Sequence, residues 1–334
     1  MLVSMQYDYG DLSRPESYEY VNFFDALKRM GHEVIFFDYM QTMSELGQAK
    51  MNSKLLEVAQ KFSPDIAIVS LYTDQLLPDT ISRLRTVTKT LCFFHDDMWR
   101  RDFALKWAPF FDFFSSSGFD CERKYKRLGL NHIIHFPFGV NSDLYKPLNL
   151  QKKYDVTFVG QYHPYRAWLI KKLRKNGIDA QAFGRGWDSG ALSHDQMMQV
   201  FSQSKINLNL SNSTSWDARY LLSSPRGLVD RIRSQKDVEQ LKARHFEIPA
   251  CGGFELSYYV DGLERYYEIG KEIGVFISPD DLIVKVQDYL SDKSAREIIA
   301  RRGYERTLRD HTYAKRFDEV FSIMGISDRD PPAR

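Results

Sequence analysis

The 334-residue chain is 43% hydrophobic and 27% charged, the mix of an ordinary globular protein, and its length predicts two domains rather than one core. Its 46 lysines and arginines nearly balance 44 aspartates and glutamates, a net charge of +2 that creates no global field for nucleic acid or an anionic membrane. Three widely spaced cysteines, Cys92, Cys121 and Cys251, form no C-x-x-C pair and fit a reducing cytoplasm. Neither a leader pattern nor a run of 18 apolar residues predicts secretion or a membrane span, and a peripheral contact through aromatic patches stays compatible.

In chain order, "LVSM" is a short opening strand, and the turn after it carries Tyr7, Asp8, Tyr9 and Gly10. Tyr20, Phe23, Phe24, Leu27 and Met30 then recur at helical spacing until Gly31 stops the run. Strands are predicted at "HEVIFFDY", "DIAIVSLY", "TLCFFHDD", "FDFFSSS" and "HIIHFPFGV", with helices at "SKLLEVAQKF" and "PDTISRLRTV". Near-continuous apolar strands separated by helices mean a parallel sheet covered on both faces.

Residues 141–153, "NSDLYKPLNLQKK", lack apolar periodicity and read as the interdomain linker. A second alternation follows: strands "YDVTFVGQ", "DAQAFG", "KINLNLS" and "GVFIS", with helices at "RAWLIKKLRKNG", "HDQMMQVFSQS", "VEQLKARHFEIPAC", "PDDLIVKVQDYLSD" and "SAREIIARRGYERTLRDH". The expected layout is two doubly wound α/β domains, 1–145 and 150–310, then a helix at 311–325 crossing back to the first domain and a flexible tail at 326–334.

Ligands of such sheets bind beyond the C-terminal strand ends, where loops feed helix N-termini. The loop "FVGQYHPYR" places Gly160 for close backbone approach and Arg166 to grip a phosphate; an ordinary glycine turn with a surface arginine is the alternative. If "EQLKARHFEI" is helical, Glu239 and Glu247 lie about 80° apart around the axis, with Lys242 and Arg244 beside them. Carboxylates there can accept from sugar or ribose hydroxyls, the cations can neutralise a diphosphate, and Gly252 and Gly253 let backbone N–H groups approach an anion. A solvated charged helix with a glycine cap is the competing reading. Asn209 shares a strand face with Asn207, able to contact a donor or to knit loops.

The segment "LKARHFEIPACGGFEL", with "YYEIGKEIGVFISPDDLIVKVQDYLSDKSAREIIARRGYERTLRDHTY", resembles the C-terminal half of GT-B-fold glycosyltransferases, especially the spore-maturation, CgeB-like group and other group 1 glycosyltransferases. "HFPFGVNSDLYKP" is similar to their hinge, with Tyr145 where phenylalanine is usual. The resemblance implies two Rossmann-like domains facing a cleft, an N-terminal acceptor domain and a C-terminal donor domain. It implies a nucleotide diphosphate sugar as donor, a glycan, lipid-linked or small-molecule acceptor as in surface polysaccharide synthesis, and no essential cofactor or metal. Aligning "FEIPACGG" with the family's "LEAMACG" assigns Glu247 to the ribose, Glu239 to the transferred sugar, and Lys242, Arg166 or Arg244 to the diphosphate. The glutamate pair implies retention of configuration, and Glu255 falls past the site as a structural residue.

"FFHDDMW" is read as closing a strand and aiming His95, Asp96 and Asp97 at the cleft, as base or sugar contact; a capping aspartate and a buried histidine are the alternative. Tyr7, Tyr9, Trp99, Tyr162, Tyr165, Trp187 and Trp216 can stack on sugar or base, or belong to the core. Two other functions stay open: a phosphoribosyltransferase using phosphoribosyl diphosphate on a glycan, and a non-catalytic sugar-nucleotide-binding protein.

Overall fold

A computed structural model describes residues 1–11, 14, 16–234 and 239–326. The chain divides into two compact units, Met1–Pro137 with the C-terminal segment from Tyr313, and Phe138–Thr312.

In the first unit, β1 (Leu2–Met5), β2 (Ile35–Asp38), β3 (Ile66–Ser70), β4 (Lys89–Phe93), β5 (Phe113–Ser116) and β6 (Ile133–His135) form one parallel sheet in the order β2-β1-β3-β4-β5-β6. Strands that are apolar on both sides need cover on both faces, and they have it. Leu2, Ala67 and Val69 pack with helix Gln48–Phe62 through Met51, Leu55, Leu56 and Ala59. Val3, Met5, Ile66 and Ile68 face the other layer, where Phe23, Phe317, Val320 and Phe321 meet.

That second layer explains why the amphipathic C-terminal helix, Tyr313–Ile323, needs a partner. Phe317 lies 5.3 Å from Phe23 and 5.5 Å from Phe136, ring centre to ring centre, and Lys89 Nζ donates to the Met324 carbonyl at 2.9 Å. The helix is thus part of the first unit's core. Of the tail expected at 326–334, Ile326 donates its N–H to the Phe321 carbonyl, and 327–334 lie outside the described residues.

In the second unit, β7 (Tyr154–Val159), β8 (Ala180–Phe183), β9 (Ser204–Asn209), β10 (Glu255–Tyr258) and β11 (Gly274–Phe276) are parallel in the order β11-β10-β9-β7-β8. The strand order reverses at β1/β3 in one sheet and at β7/β9 in the other, and crevices open outside the strand ends at such points. Two Rossmann-like, doubly wound α/β units in tandem are what the sequence pattern predicts.

Several local expectations are corrected. The strand read through Tyr39 stops at Asp38, because the Asp38 carboxylate accepts from Met40 N and Gln41 N and starts a helix, Tyr39–Leu46. The strand read through Asp97 stops at Phe93. A helix read from Val238 onward begins only at Arg244. There the Lys242 carbonyl accepts the His245 N–H and the His245 ring accepts the Lys242 N–H, a side-chain cap that fixes the start. The fifth strand, β10, and the helices Ala218–Ser223 and Pro225–Arg233 were not foreseen.

Candidate donor site at the strand ends of the second unit

β7 ends at Val159, and Gly160 then packs backbone to backbone on Gly184. Gly160 N–H donates to the Phe183 carbonyl at 2.9 Å, and a Cβ on Gly184, whose φ is +123°, would lie 2.5 Å from the Gly160 oxygen. Both glycines are there for sheet packing. Trp187 Nε1 donates to the Gly160 carbonyl at 3.0 Å, turning this indole inward.

Arg166 is less available than its sequence position suggests. Its Nε donates to Asn212 O at 3.1 Å, Nη1 to Gln161 O at 2.9 Å and Nη2 to Ser211 O at 3.3 Å. The guanidinium ties the loop after β7 to the loop after β9, and burial lowers its pKa to about 10, against the opposing pull of Glu239. It is a clamp that shapes the crevice, not a free phosphate grip.

Helix Arg244–Ala250 carries the centre of the site. Glu247 is fully buried, and one carboxylate oxygen pairs with Arg244 Nη1 a turn earlier, while the other, Oε1, has no protein partner. Arg244 also points Nε at Val159 O and lies over the Phe201 ring. Pro249 inside this helix cannot bond the His245 carbonyl, and Tyr267 OH donates to that carbonyl instead at 2.8 Å. His245 is itself buried, its Nε2 3.0 Å from Ser257 Oγ, and desolvation holds its pKa down at about 4, so the ring is neutral.

Glu255 begins β10 beside these groups. Asn209, the last residue of β9, donates to Glu255 Oε1 at 2.8 Å, and Glu255 Oε2 has no protein partner. Burial raises the Glu255 pKa to about 8 despite Asn209 and Arg244. Asn207, a strand pair away, binds Phe201 O and Phe254 O instead.

The structure therefore brings Arg166, Glu239, Arg244, Glu247, Asn209 and Glu255 into one electrostatic neighbourhood, though Glu239 lies in an irregular segment before the helix and not on it. Lys242 precedes the helix, its ammonium 3.2 Å from Gln240 Oε1. The Gly252–Gly253 pair does not offer N–H groups to an anion. Gly252 N–H donates to Pro249 O and Gly253 N–H to Ile248 O, closing the helix C-terminus, where the dipole is negative. Gly253 is needed because a Cβ there would lie 2.8 Å from Asn207 Nδ2.

In the first unit, Tyr7, Asp8, Tyr9 and Gly10 form the tight turn after β1. Asp8 Oδ1 accepts Gly10 N–H at 3.0 Å, and Tyr9 and Gly10 both have positive φ. Tyr9 OH reaches Glu19, a buried carboxylate that also meets Ser70 Oγ at the end of β3. Neither Glu19 nor Ser70 carried a motif.

The trio after β4 divides its roles within the loop. Asp97 is buried with Oδ2 accepting from Ser116 Oγ and Tyr125 OH, and burial raises its pKa; it anchors the loop. The Asp96 carboxylate accepts from Trp99 Nε1 at 3.1 Å, and its main-chain carbonyl accepts the Trp99 and Arg100 N–H groups, so the residue is taken up in a turn. His95, partly buried and 5.1 Å from the Phe93 ring, stands close enough to Asp97 to oppose the rise of its pKa. Among the described residues no three His, Cys, Asp or Glu side chains gather as a metal site, and no helix is long and apolar enough to cross a membrane.

The fold is the GT-B fold seen in glycosyltransferase structures, and residues 166–322 match the model of the family described as glycosyl transferase-like. It is similar to a sucrose-phosphate synthase from Thermosynechococcus elongatus, at 12% identity and a TM-score of 0.63, covering 97% of this chain and 98% of that one. It is similar to Anabaena HepE, solved with UDP and glucose, at 12% identity and a TM-score of 0.65 over 97% and 99% of the two chains. A glycosyltransferase from Rickettsia africae aligns at 9% identity with a TM-score of 0.62, over 96% and 97%. No curated protein sequence matches the chain.

Proposed function

We propose that this protein is a glycosyltransferase that moves a sugar from a nucleoside diphosphate donor held by the second unit to a glycan, lipid-linked or small-molecule acceptor handled by the first. The single observation that carries the reading is Glu247: a fully buried carboxylate, oriented by Arg244, whose second oxygen has no partner in the protein. A group buried at such cost calls for a donor from outside, and vicinal hydroxyls of a ribose supply one. HepE, similar in fold, has been solved with UDP-glucose as well as with UDP.

In this reading Glu247 takes the ribose, Glu239 the transferred sugar, and Arg244 with Lys242 the diphosphate. As the glycosidic bond to the donor lengthens, negative charge grows on the leaving diphosphate, and fixed cations lower the barrier without a metal. Arg166 contributes by holding the two crevice loops in register. The two glutamates favour retention of configuration, with His95 as a contact to the donor sugar and the Tyr7–Gly10 turn on the acceptor side. Similarity to the CgeB-like group rests on the segment 242–313.

The test is ligand-linked thermal stabilisation with UDP, UDP-glucose, other nucleotide sugars and phosphoribosyl diphosphate, on wild type and Glu247→Ala. One nucleotide diphosphate or its sugar should raise the melting temperature, and Glu247→Ala should abolish the shift. Stabilisation by phosphoribosyl diphosphate alone would make the donor a pentose diphosphate, and no shift with any of them would remove the donor site.

A further inference from the structure

The second unit holds a cavity that the donor reading does not use. All strands of its parallel sheet start at one edge, and there a space of about 500 Å³ opens among residues just before β7 and β10, at the start of β9 and on the helix Lys293–Asp310. Arg244 belongs to the other edge, where its Nε points at the carbonyl of Val159, the last residue of β7. A volume of this size suits a small metabolite.

The lining is strongly cationic: Lys152, Lys205, Lys293, Arg296 and Arg301 accompany a single carboxylate, Glu297. Three of these cations are matched. Lys205 pairs with Asp155 at 2.6 Å, Arg301 with Glu305 at 3.2 Å and Lys293 with Glu297 at 3.6 Å. Lys152 and Arg296 have only carbonyls. Lys152 Nζ donates to the Ser202 and Ser204 oxygens, both at 2.9 Å, and Arg296 Nη1 to the Tyr289 and Leu290 oxygens, which satisfies hydrogen bonds without cancelling charge. Burial lowers the pKa of Lys152, and Arg296 acts on it more strongly than Glu297 does. Arg296, 8% exposed, is lowered by burial too, against the pull of Glu297, Asp292 and Asp155.

Two desolvated cations that feel each other call for an anion between them. A phosphate matches what they still offer: Arg296 keeps Nε and Nη2 to donate, and Lys152 its third N–H. Pro147, Phe254 and Tyr304 complete the wall and give an organic group a surface to lie on.

We propose that this cavity binds a small phosphate monoester, with Lys152 and Arg296 on the phosphate and Lys293 and Arg301 at the exposed rim. The site stands apart from the donor assignment, since none of these residues belongs to the Glu247 neighbourhood.

The test is calorimetric titration of the full chain with glucose 6-phosphate, AMP, inorganic phosphate and glucose, on wild type under excess UDP and on Glu247→Ala without it. At least one monoester should bind both proteins alike, about tenfold or more tighter than inorganic phosphate, and glucose should give no signal. Lys293→Glu with Arg301→Glu, on side chains 77% and 64% exposed, should weaken that binding at least about tenfold and leave the melting temperature unchanged. Lys152→Gln should abolish it. Binding by neither monoester, binding that UDP or Glu247→Ala removes, binding that the rim variant leaves intact, or inorganic phosphate binding as tightly as the esters would each overturn the proposal.

Discussion

Arg244 and Glu247, one turn apart on the same short helix, share an ion pair that leaves one oxygen of Glu247 buried and unpartnered. Glu247→Gln keeps the volume and removes the charge. Since Arg244 remains partly exposed, the expected loss of stability is about 2 kcal/mol, below the cost of breaking a fully buried pair. If Glu247 holds the donor ribose as proposed, the expected loss in transfer rate is larger, about 10²-fold, because the orientation of Arg244 is affected as well. Chemical denaturation beside initial rates separates the two; equal activity per folded molecule would remove Glu247 from the donor site.

His95 and Asp97 should separate in opposite directions. Asp97→Ala breaks the anchors to Ser116 and Tyr125 and should cost about 1–3 kcal/mol, with turnover per folded molecule preserved. His95→Ala should leave the melting temperature within a degree or two and cut turnover at least about tenfold. A stable, fully active His95→Ala protein would leave the loop after β4 without a part in catalysis.

Two buried groups give the pH dependence opposite signs. Glu255 has a folded pKa of about 8 against 4.5 for the free group, so its contribution to stability is complete below pH 4.5 and is lost as pH rises through 8. His245, at about 4 against 6.5, contributes above pH 6.5 and loses that contribution as pH falls through 4. Glu255→Gln keeps the acceptor for Asn209 and should gain on wild type by a few kcal/mol between pH 5 and pH 8.5, at about 1.4 kcal/mol per pKa unit. Melting temperatures across that range for both proteins decide it; parallel curves would mean that Glu255 titrates normally.

Gly184 and Gly160 exchange backbone contact at a distance no Cβ tolerates. Gly184→Ala adds both a clash with the Gly160 oxygen and an unfavourable φ, and should cost about 2–4 kcal/mol. Gly190→Ala, also at positive φ but with open space around it, should cost about 1 kcal/mol. Comparable losses at the two sites would show that the close approach contributes nothing.

Which parts were legible follows from what each signal measures. Alternating apolar runs and helical spacing report burial, so both parallel sheets and the orphan face of the last helix could be read directly. The candidate donor residues cluster in one segment, 239–255, and the structure changes the geometry expected of them. Helical periodicity cannot show that His245 caps the helix and leaves Glu239 outside it, since that depends on a ring folding back onto Lys242. Arg166 and the Gly252–Gly253 pair looked available because sequence shows donors without their acceptors; three loop carbonyls and two helix carbonyls use them. The exposed helices of 218–233 were missed because their apolar face meets no core and so breaks the rule that periodicity relies on.

The helix beginning at Tyr313 has a consequence for how the protein is made. Because Phe317 completes a layer begun by Phe23 and Phe136, the first unit remains unfinished on the ribosome until the whole second unit has emerged. Phe317→Ala should cost about 3–5 kcal/mol in that unit alone. The two ends of the second unit meet in an isolated parallel bridge between Val140 and Thr312, so the intervening domain can fold first and bring them together. A chain cut after Thr312 should therefore yield a second unit that still resists proteolysis, attached to a first unit that does not.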